Sequence, residues 1–332
     1  MPFPFRLISE QRSLLMGWAI LFIMLSHAFS PSWANIPFLH TIAGKGFALN
    51  DVGGFLFLSG FGLYYSFQRN GHILSFYKKR ISRLYIPFLI VALPFYIISL
   101  LIGEIDLIKF VLSETGLFFF VYGNNGMWYI SLSLLLYLIF PLIYYILFKR
   151  GYVTANTIVV LVLSILFIFF FRLYLPAYYR LVAIGLVKIP LFIVGIYTGY
   201  LAVNEKVLSR IGGGGLVACV ILLWVLSKHF PQLEFLYKDS IVLVGIPCIA
   251  FFFHLCSKNV QPVCKVFEWL GSYSLELYML HMLLKNATFS ILDFYGMTSV
   301  DERIVVAGIL LASLLLCNPV HIFTRKIAGG IL

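Results

Sequence analysis

Charge is what this sequence is short of. Only 11% of its 332 residues are Asp, Glu, Lys or Arg, against about 25% in ordinary soluble domains. A soluble fold of this length could not cover its exterior with so few. Acidic residues are the scarcer sign, 13 against 24 basic, which leaves a net charge of +11. The basic residues sit between apolar runs and form no arm or basic stripe, which argues against a groove for nucleic acid. The five cysteines, Cys219, Cys248, Cys256, Cys264 and Cys317, make no paired spacing, so neither a disulfide framework nor a metal site is expected. Low-complexity tracts and fixed-period repeats are missing too, which removes disordered linkers and solenoids.

What is there instead is apolar: 61% of the chain. Its solvent is therefore mainly lipid, and each crossing takes about 20 residues. Charges and turn residues cut the sequence into ten apolar runs, at roughly 13–30, 47–67, 84–102, 127–148, 153–171, 186–203, 213–228, 240–256, 269–290 and 304–323. The expected fold is an all-α polytopic bundle of about ten transmembrane helices in a single domain, 1–332. The stretch 107–122 carries Lys109 and Glu114 and reads as an amphipathic or re-entrant part of a loop. Counting Lys and Arg in alternate loops gives 15 on the N-terminal side and 7 on the other, with Lys188 and Lys285 inside spans; this excess predicts both termini in the cytoplasm. Arg6 and Arg12 before the first run, with Ser32-Trp33-Ala34 after it, resemble a signal peptide. Nine further spans make an uncleaved signal anchor the expectation.

Ionisable groups inside spans are expensive and mark sites first. His27 lies late in the first run, and Arg12 fifteen residues earlier is about 22 Å away along a helix. The competing structural role for His27 is a bond to a nearby carbonyl or a place at the outer interface. In the ninth run Ser274, Tyr278, His281 and Lys285 stand at i, i+4, i+7 and i+11, one narrow helical stripe that faces protein or water. A plain helix-helix hydrogen-bond seam would look the same. Glu276 is on nearly the opposite face, and Lys285 has the length to snorkel outward. The fourth run repeats the theme with Trp128, Tyr129, Ser133, Tyr137 and Pro141, where an interfacial aromatic belt and a kink compete as explanations. Between the second and third runs, Tyr77 to Pro87 holds the densest basic segment. Lys78 and Lys79 read as topology anchors. Arg80 and Arg83 share a helical face and could clamp a phosphorylated ligand such as a nucleotide or coenzyme A.

Taken together these segments resemble the integral membrane acyltransferase 3 family. The resemblance rests on His27 and the loop after it, Gly53 to Phe61, Lys79 to Pro87, Trp128-Tyr129 with Tyr137 and Pro141, and Leu270 to His281, in the family's order. It implies a ten-helix enzyme that takes an acyl group, commonly acetyl, from cytoplasmic acyl-coenzyme A and places it on a carbohydrate beyond the membrane, in bacteria at the plasma membrane. His27 is then the catalytic residue, a general base or an acyl-carrying nucleophile, and Arg80 and Arg83 are contacts for the donor. Many members carry Arg or Lys eleven residues before the histidine, where this chain has Met16; Arg12, one turn earlier, is the expected substitute. No fused extracytoplasmic esterase-like domain is expected.

On that reading Ser274, Tyr278, His281, Trp128 and Tyr129 line the cavity. Arg172 and Arg180, flanking the aromatic segment Tyr174 to Tyr179, are placed to meet the acceptor. The expected partners are acyl-coenzyme A as donor, a carbohydrate or lipid-linked glycan acceptor, and membrane lipid, with no metal and no nucleic acid. Exopolysaccharide, capsule, O-antigen and peptidoglycan all remain open as acceptors, and acetyl and succinyl as donors. The rival class is a transporter or flippase of a lipid-linked saccharide, whose usual sign is inverted-repeat symmetry; the two halves show none.

Overall fold

The structure is a computed structural model and describes residues 2–28, 52–124, 126–149, 151–296 and 301–331. Ser32-Trp33-Ala34, the loop after His27 and two of the basic residues counted for topology, Lys45 and Arg150, fall outside these residues. The described chain is helical almost throughout, because a lipid-facing backbone must satisfy its polar groups within its own helix. It runs α1 (Arg6–Glu10), α2 (Arg12–Ala28), α3 (Gly53–Asn70), α4 (Ile73–Arg80), α5 (Ile86–Leu101), α6 (Leu107–Glu114), α7 (Phe118–Tyr122), α8 (Trp128–Phe148), α9 (Val153–Tyr174), α10 (Pro176–Leu186), α11 (Ile189–Val203), α12 (Arg210–His229), α13 (Glu234–Asn259), α14 (Gln261–Ser272), α15 (Ser274–Phe294) and α16 (Glu302–Ile331). The departure from all-α is small: Phe3–Pro4 pairs antiparallel with Val207–Leu208.

Seven stretches among the described residues are long and apolar enough to cross a membrane: Ile73–Leu101, Trp128–Phe148, Val153–Tyr174, Pro176–Val203, Arg210–His229, Pro231–Ser257 and Glu302–Gly330. The protein is therefore an integral, multi-pass membrane protein. The three expected runs outside this set are α2, α3 and α15, and each has a physical reason. Helix α2 is apolar but only 17 residues long, α3 is diluted by glycine, serine, glutamine and arginine, and α15 carries Glu276, Lys285 and Asp293.

Two segments between the apolar runs are helical as well. The basic segment 77–87 continues from α4 through a π-helical turn at Ile81–Tyr85 into α5. Pro87 offers no N–H to the turn before it, and the wide turn lets the backbone ladder re-register around that gap. Likewise 176–186 forms α10 ahead of α11. The stretch 107–122 becomes α6 and α7 joined at Gly116, with α6 packed on α5 and capped by Asp106, whose Oδ1 accepts from Lys109 N–H at 2.8 Å.

Two helix pairs pack closest, α3 on α11 and α2 on α14. Both depend on missing side chains. A Cβ on Gly17 would run into the Phe267 carbonyl and one on Gly271 into that of Ser13; Gly60 and Gly195 face the carbonyls of Phe192 and Phe57 in the same way. Small residues at such crossings let backbones approach in a setting where lipid is as apolar as leucine. These contacts, with α5, α8 and α16, draw α2, α3 and α15 into the middle of the bundle.

Candidate functional site

In the last turn of α2, His27 faces His281 of α15. His27 Nδ1 lies 2.9 Å from His281 Nε2, with the rings stacked at 5.2 Å and 22°. His281 Nδ1 is 2.7 Å from the Leu277 carbonyl. A carbonyl has no proton to give, so His281 Nδ1 carries one and donates it. His281 is 1% exposed, and an imidazole buried in lipid-embedded protein without a carboxylate partner is cheapest neutral. Its Nε2 then holds a lone pair, which makes His27 Nδ1 the donor across the pair and leaves the lone pair of His27 on Nε2. The hydrogen-bond network assigns these protons. One stripe position further, Lys285 Nζ donates to the His27 carbonyl at 2.9 Å, a cation on the C-terminal carbonyls of α2 where the helix dipole favours it.

His27 lines a cavity of about 200 Å³ with Ser26, Asn124, Gly126, Trp128, Ile184, Tyr278 and Met282 among its neighbours. Tyr278 Oη donates to the Gly126 carbonyl at 2.8 Å. Gly126 needs its lack of a side chain twice over: its φ is +86°, and Met282 and Asn286 press against it.

From this cavity a line of polar side chains runs between α3 and α8 towards the arginines. Tyr278 packs on Tyr129 at 5.2 Å. Ser59 Oγ lies 3.5 Å from the hydroxyls of both Tyr129 and Tyr137, the outer limit of a hydrogen bond. The guanidinium of Arg80 stands 6.0 Å over the Tyr137 ring and donates to Ser66 Oγ at 2.7 Å. Arg12 reaches the Leu58 carbonyl at 3.5 Å, packed against the bare face of Gly62. Arg12, Arg80 and Arg83 lie close enough to repel one another. Among the described residues no carboxylate forms an ion pair with any of the three, and the Nε atoms of Arg12 and Arg80 are buried without a hydrogen-bond partner.

A family model for an acyltransferase domain, that of the acyltransferase 3 family, matches residues 14–320. The chain belongs to this family. It is accordingly a membrane acyltransferase. No curated protein and no solved structure matches it.

Within this acyltransferase the remaining sequence candidates fall in different places. Met16, the position where many members carry a basic residue, packs against the apolar core, and the guanidinium from one turn earlier joins the other two arginines. Trp128 lines the His27 cavity, whereas Tyr129 belongs to the polar line beneath it. His281 stands behind His27 and is not among the residues that line the cavity. Ser274 is buried at the start of α15, away from the described cavities. Arg172 donates to the Gln232 carbonyl at 3.3 Å and covers the Tyr179 ring; Arg180 is exposed, and neither lines the His27 cavity. Glu276, on the other face of α15, is bonded to His321 of α16 at 2.6 Å.

Sequence reasoning passed over Ser59, Asn124 and Gly126. Ser59 had a signal, a hydroxyl inside the Gly53 to Phe61 segment. Asn124 and Gly126 had none, because their role comes from what α15 brings against them.

Proposed function

We propose that the protein moves an acyl group, acetyl in the first instance, from cytoplasmic acyl-coenzyme A to a hydroxyl of a saccharide or lipid-linked glycan beyond the membrane. On this reading it crosses a bacterial plasma membrane ten times as one domain, with both termini in the cytoplasm, and modifies a cell-envelope polysaccharide. The observation that carries the reading is one polar line with three guanidiniums, none ion-paired with a carboxylate among the described residues, at one end and an imidazole lone pair at the other. Planar cations without carboxylates suit a ligand bearing several phosphates. The hydroxyls of Tyr137, Ser59 and Tyr129 suit the amides of a pantetheine arm.

Arg12, Arg80 and Arg83 hold the donor's phosphates, and the Tyr137 to Tyr278 line guides its thioester to His27. His27 Nε2 accepts the proton of the acceptor hydroxyl as that oxygen attacks the thioester carbonyl. The C–S bond breaks, and the proton held by His27 passes to the leaving thiolate, so the imidazole ends neutral as it began. His281 keeps His27 in the tautomer that points its lone pair at the reactants. The same lone pair serves direct attack by His27, with the acceptor hydroxyl then taking the acyl group from the imidazole. Label trapped on His27 in the absence of acceptor distinguishes that route from the general-base one.

The test is transfer and hydrolysis of labelled acetyl-coenzyme A by purified protein. His27→Ala is expected to lose at least about 100-fold in rate, the usual scale for a general base, with an unchanged melting temperature and unchanged binding of acetyl-coenzyme A. Arg80→Ala is expected to weaken that binding by about tenfold, the loss of one charge-assisted contact. Undiminished rate in the first variant overturns the role of His27, and unchanged affinity in the second overturns the donor site.

A further inference from the structure

A second cavity, of about 500 Å³, opens between α5, α6 and α15. It shares Asn124, Gly126 and Met282 with the His27 cavity, so the two are neighbours across one thin wall. Its volume falls in the range of small-molecule sites, about 300–1,000 Å³. Its walls mix chemistry in a way that sorts ligands. Glu104 and Lys285 give one charge of each sign, Ser99, Asn286 and Ser290 add hydroxyl and amide groups, and Phe95 and Phe118 supply flat apolar faces. A lipid tail would set hydrocarbon against the Glu104 carboxylate and the Lys285 ammonium, and a phosphate-rich ligand would meet that carboxylate. A neutral, polyhydroxylated ring fits both: carboxylate and amide bind neighbouring hydroxyls while an aromatic face covers the C–H side of the ring.

Lys285 joins this cavity to the reactive helix. Its ammonium uses one donor on the His27 carbonyl, and its side chain lines the larger cavity. We propose that this cavity is the acceptor site for a neutral sugar residue, selected by Glu104 and Asn286, with Lys285 orienting a sugar hydroxyl through the Asn124, Gly126 and Met282 wall towards His27. This rests on the acyl-acceptor reading above, and the experiment is read without acyl-coenzyme A so that the two can fail separately.

Purified full-length protein in detergent, with its five native cysteines replaced by serine, would carry Ser99→Cys or Ser290→Cys inside the cavity, or Ile211→Cys as a control. Ile211 is 89% exposed on α12, far from the cavity lining. Maleimide labelling is followed with and without a panel of probes: glucose, N-acetylglucosamine, their disaccharides, glucuronate and inorganic phosphate. At least one neutral sugar is expected to slow labelling of both cavity cysteines about fivefold or more and leave Ile211→Cys unaffected, with glucuronate and phosphate ineffective. Glu104→Ala and Asn286→Ala are each expected to raise the sugar concentration for half-protection about tenfold. Equal labelling with every neutral sugar, equal protection by phosphate, or unchanged half-protection in both variants overturns the proposal. Acyl transfer measured separately then says whether the reading beneath it stands.

Discussion

Helices α3 and α12 are nearly the same length and live in opposite surroundings. Along α3, apart from its last residues, almost every side chain is buried or half-buried; along α12 none is buried. The sequence shows the contrast in reverse, because α12 meets the apolar threshold for a membrane span and α3 does not. The same holds for the group around each. Helices α2, α3 and α15 fall outside the set of long apolar stretches and carry the paired histidines, Arg12, Ser59 and Lys285, whereas α9 and α12 are the helices that present most surface outward. Apolarity alone does not tell which helix meets lipid, since Pro176–Val203 is at least as apolar as α12 and is mostly buried. Polar content marks the interior, because an Arg, Lys or Asp facing lipid at mid-span would cost about 2.5–3.5 kcal/mol and such groups must be held by protein.

Substitution separates the inner region's polar groups that hold the bundle from those proposed to do the chemistry. Lys188 Nζ and Asp239 Oδ1 form a buried pair at 2.8 Å, tying the start of α11 to α13 beside Gly53. Removing one member of a buried ion pair typically costs about 3–5 kcal/mol, while replacing both with apolar residues of similar volume is often neutral. Lys188→Ala is thus expected to destabilise the protein more than loss of either histidine, read as a fall in melting temperature of the detergent-solubilised protein. Lys188→Met combined with Asp239→Leu is expected to recover most of it. A double variant no better than the single would mean that the pair does more than hold the helices together.

The histidine pair should behave differently, because shape alone cannot replace its proton arrangement. His281→Ala removes the acceptor for His27 Nδ1–H and is expected to lower kcat by about 10–100-fold, a fraction of a general base's worth, with KM for acetyl-coenzyme A unchanged. His281→Gln offers an amide oxygen to the same N–H and is expected to recover much of the loss. Equal rates for the alanine and glutamine variants would assign His281 to packing.

Much of this division was legible in the sequence wherever a residue is expensive in lipid. His27 stands out in that way inside an apolar run, whereas Arg80 and Arg83 stand out as part of a basic segment between two runs. In the stripe on α15, three of four positions, Tyr278, His281 and Lys285, do meet α2 or the cavity beside it. What the sequence hides is whatever depends on a partner from elsewhere in the chain. Lys285, long enough to snorkel, is turned inward by a carbonyl at the end of α2, and Glu276 is explained by His321 forty-five residues later. Gly17 and Gly271 say little alone and together decide how closely α2 and α14 approach. For 77–87 the shared helical face of Arg80 and Arg83 was legible, but not the unbroken course from α4 through a π-helical turn into α5.

The smallest effects belong to the outer region, and they test whether lipid is what covers it. Ile211, Ile221 and Leu222 of α12 are 89%, 56% and 57% exposed. In water such exposure would mark a binding patch; in a bilayer it needs no partner, because lipid tails solvate these side chains as well as protein does. Alanine at Ile221 or Leu222 is accordingly expected to shift stability by less than about 0.5 kcal/mol, the usual range for substitutions away from packed features, and to leave transfer activity intact. Arginine at Leu222 is a different matter, since it places a charge in the middle of a span at a cost of about 2.5–3.5 kcal/mol, and it should impair insertion. If the alanine variants instead dissociate a complex on sedimentation, or lose activity without losing fold, then protein and not lipid covers α12, and its exposure has the same meaning as the burial of α3.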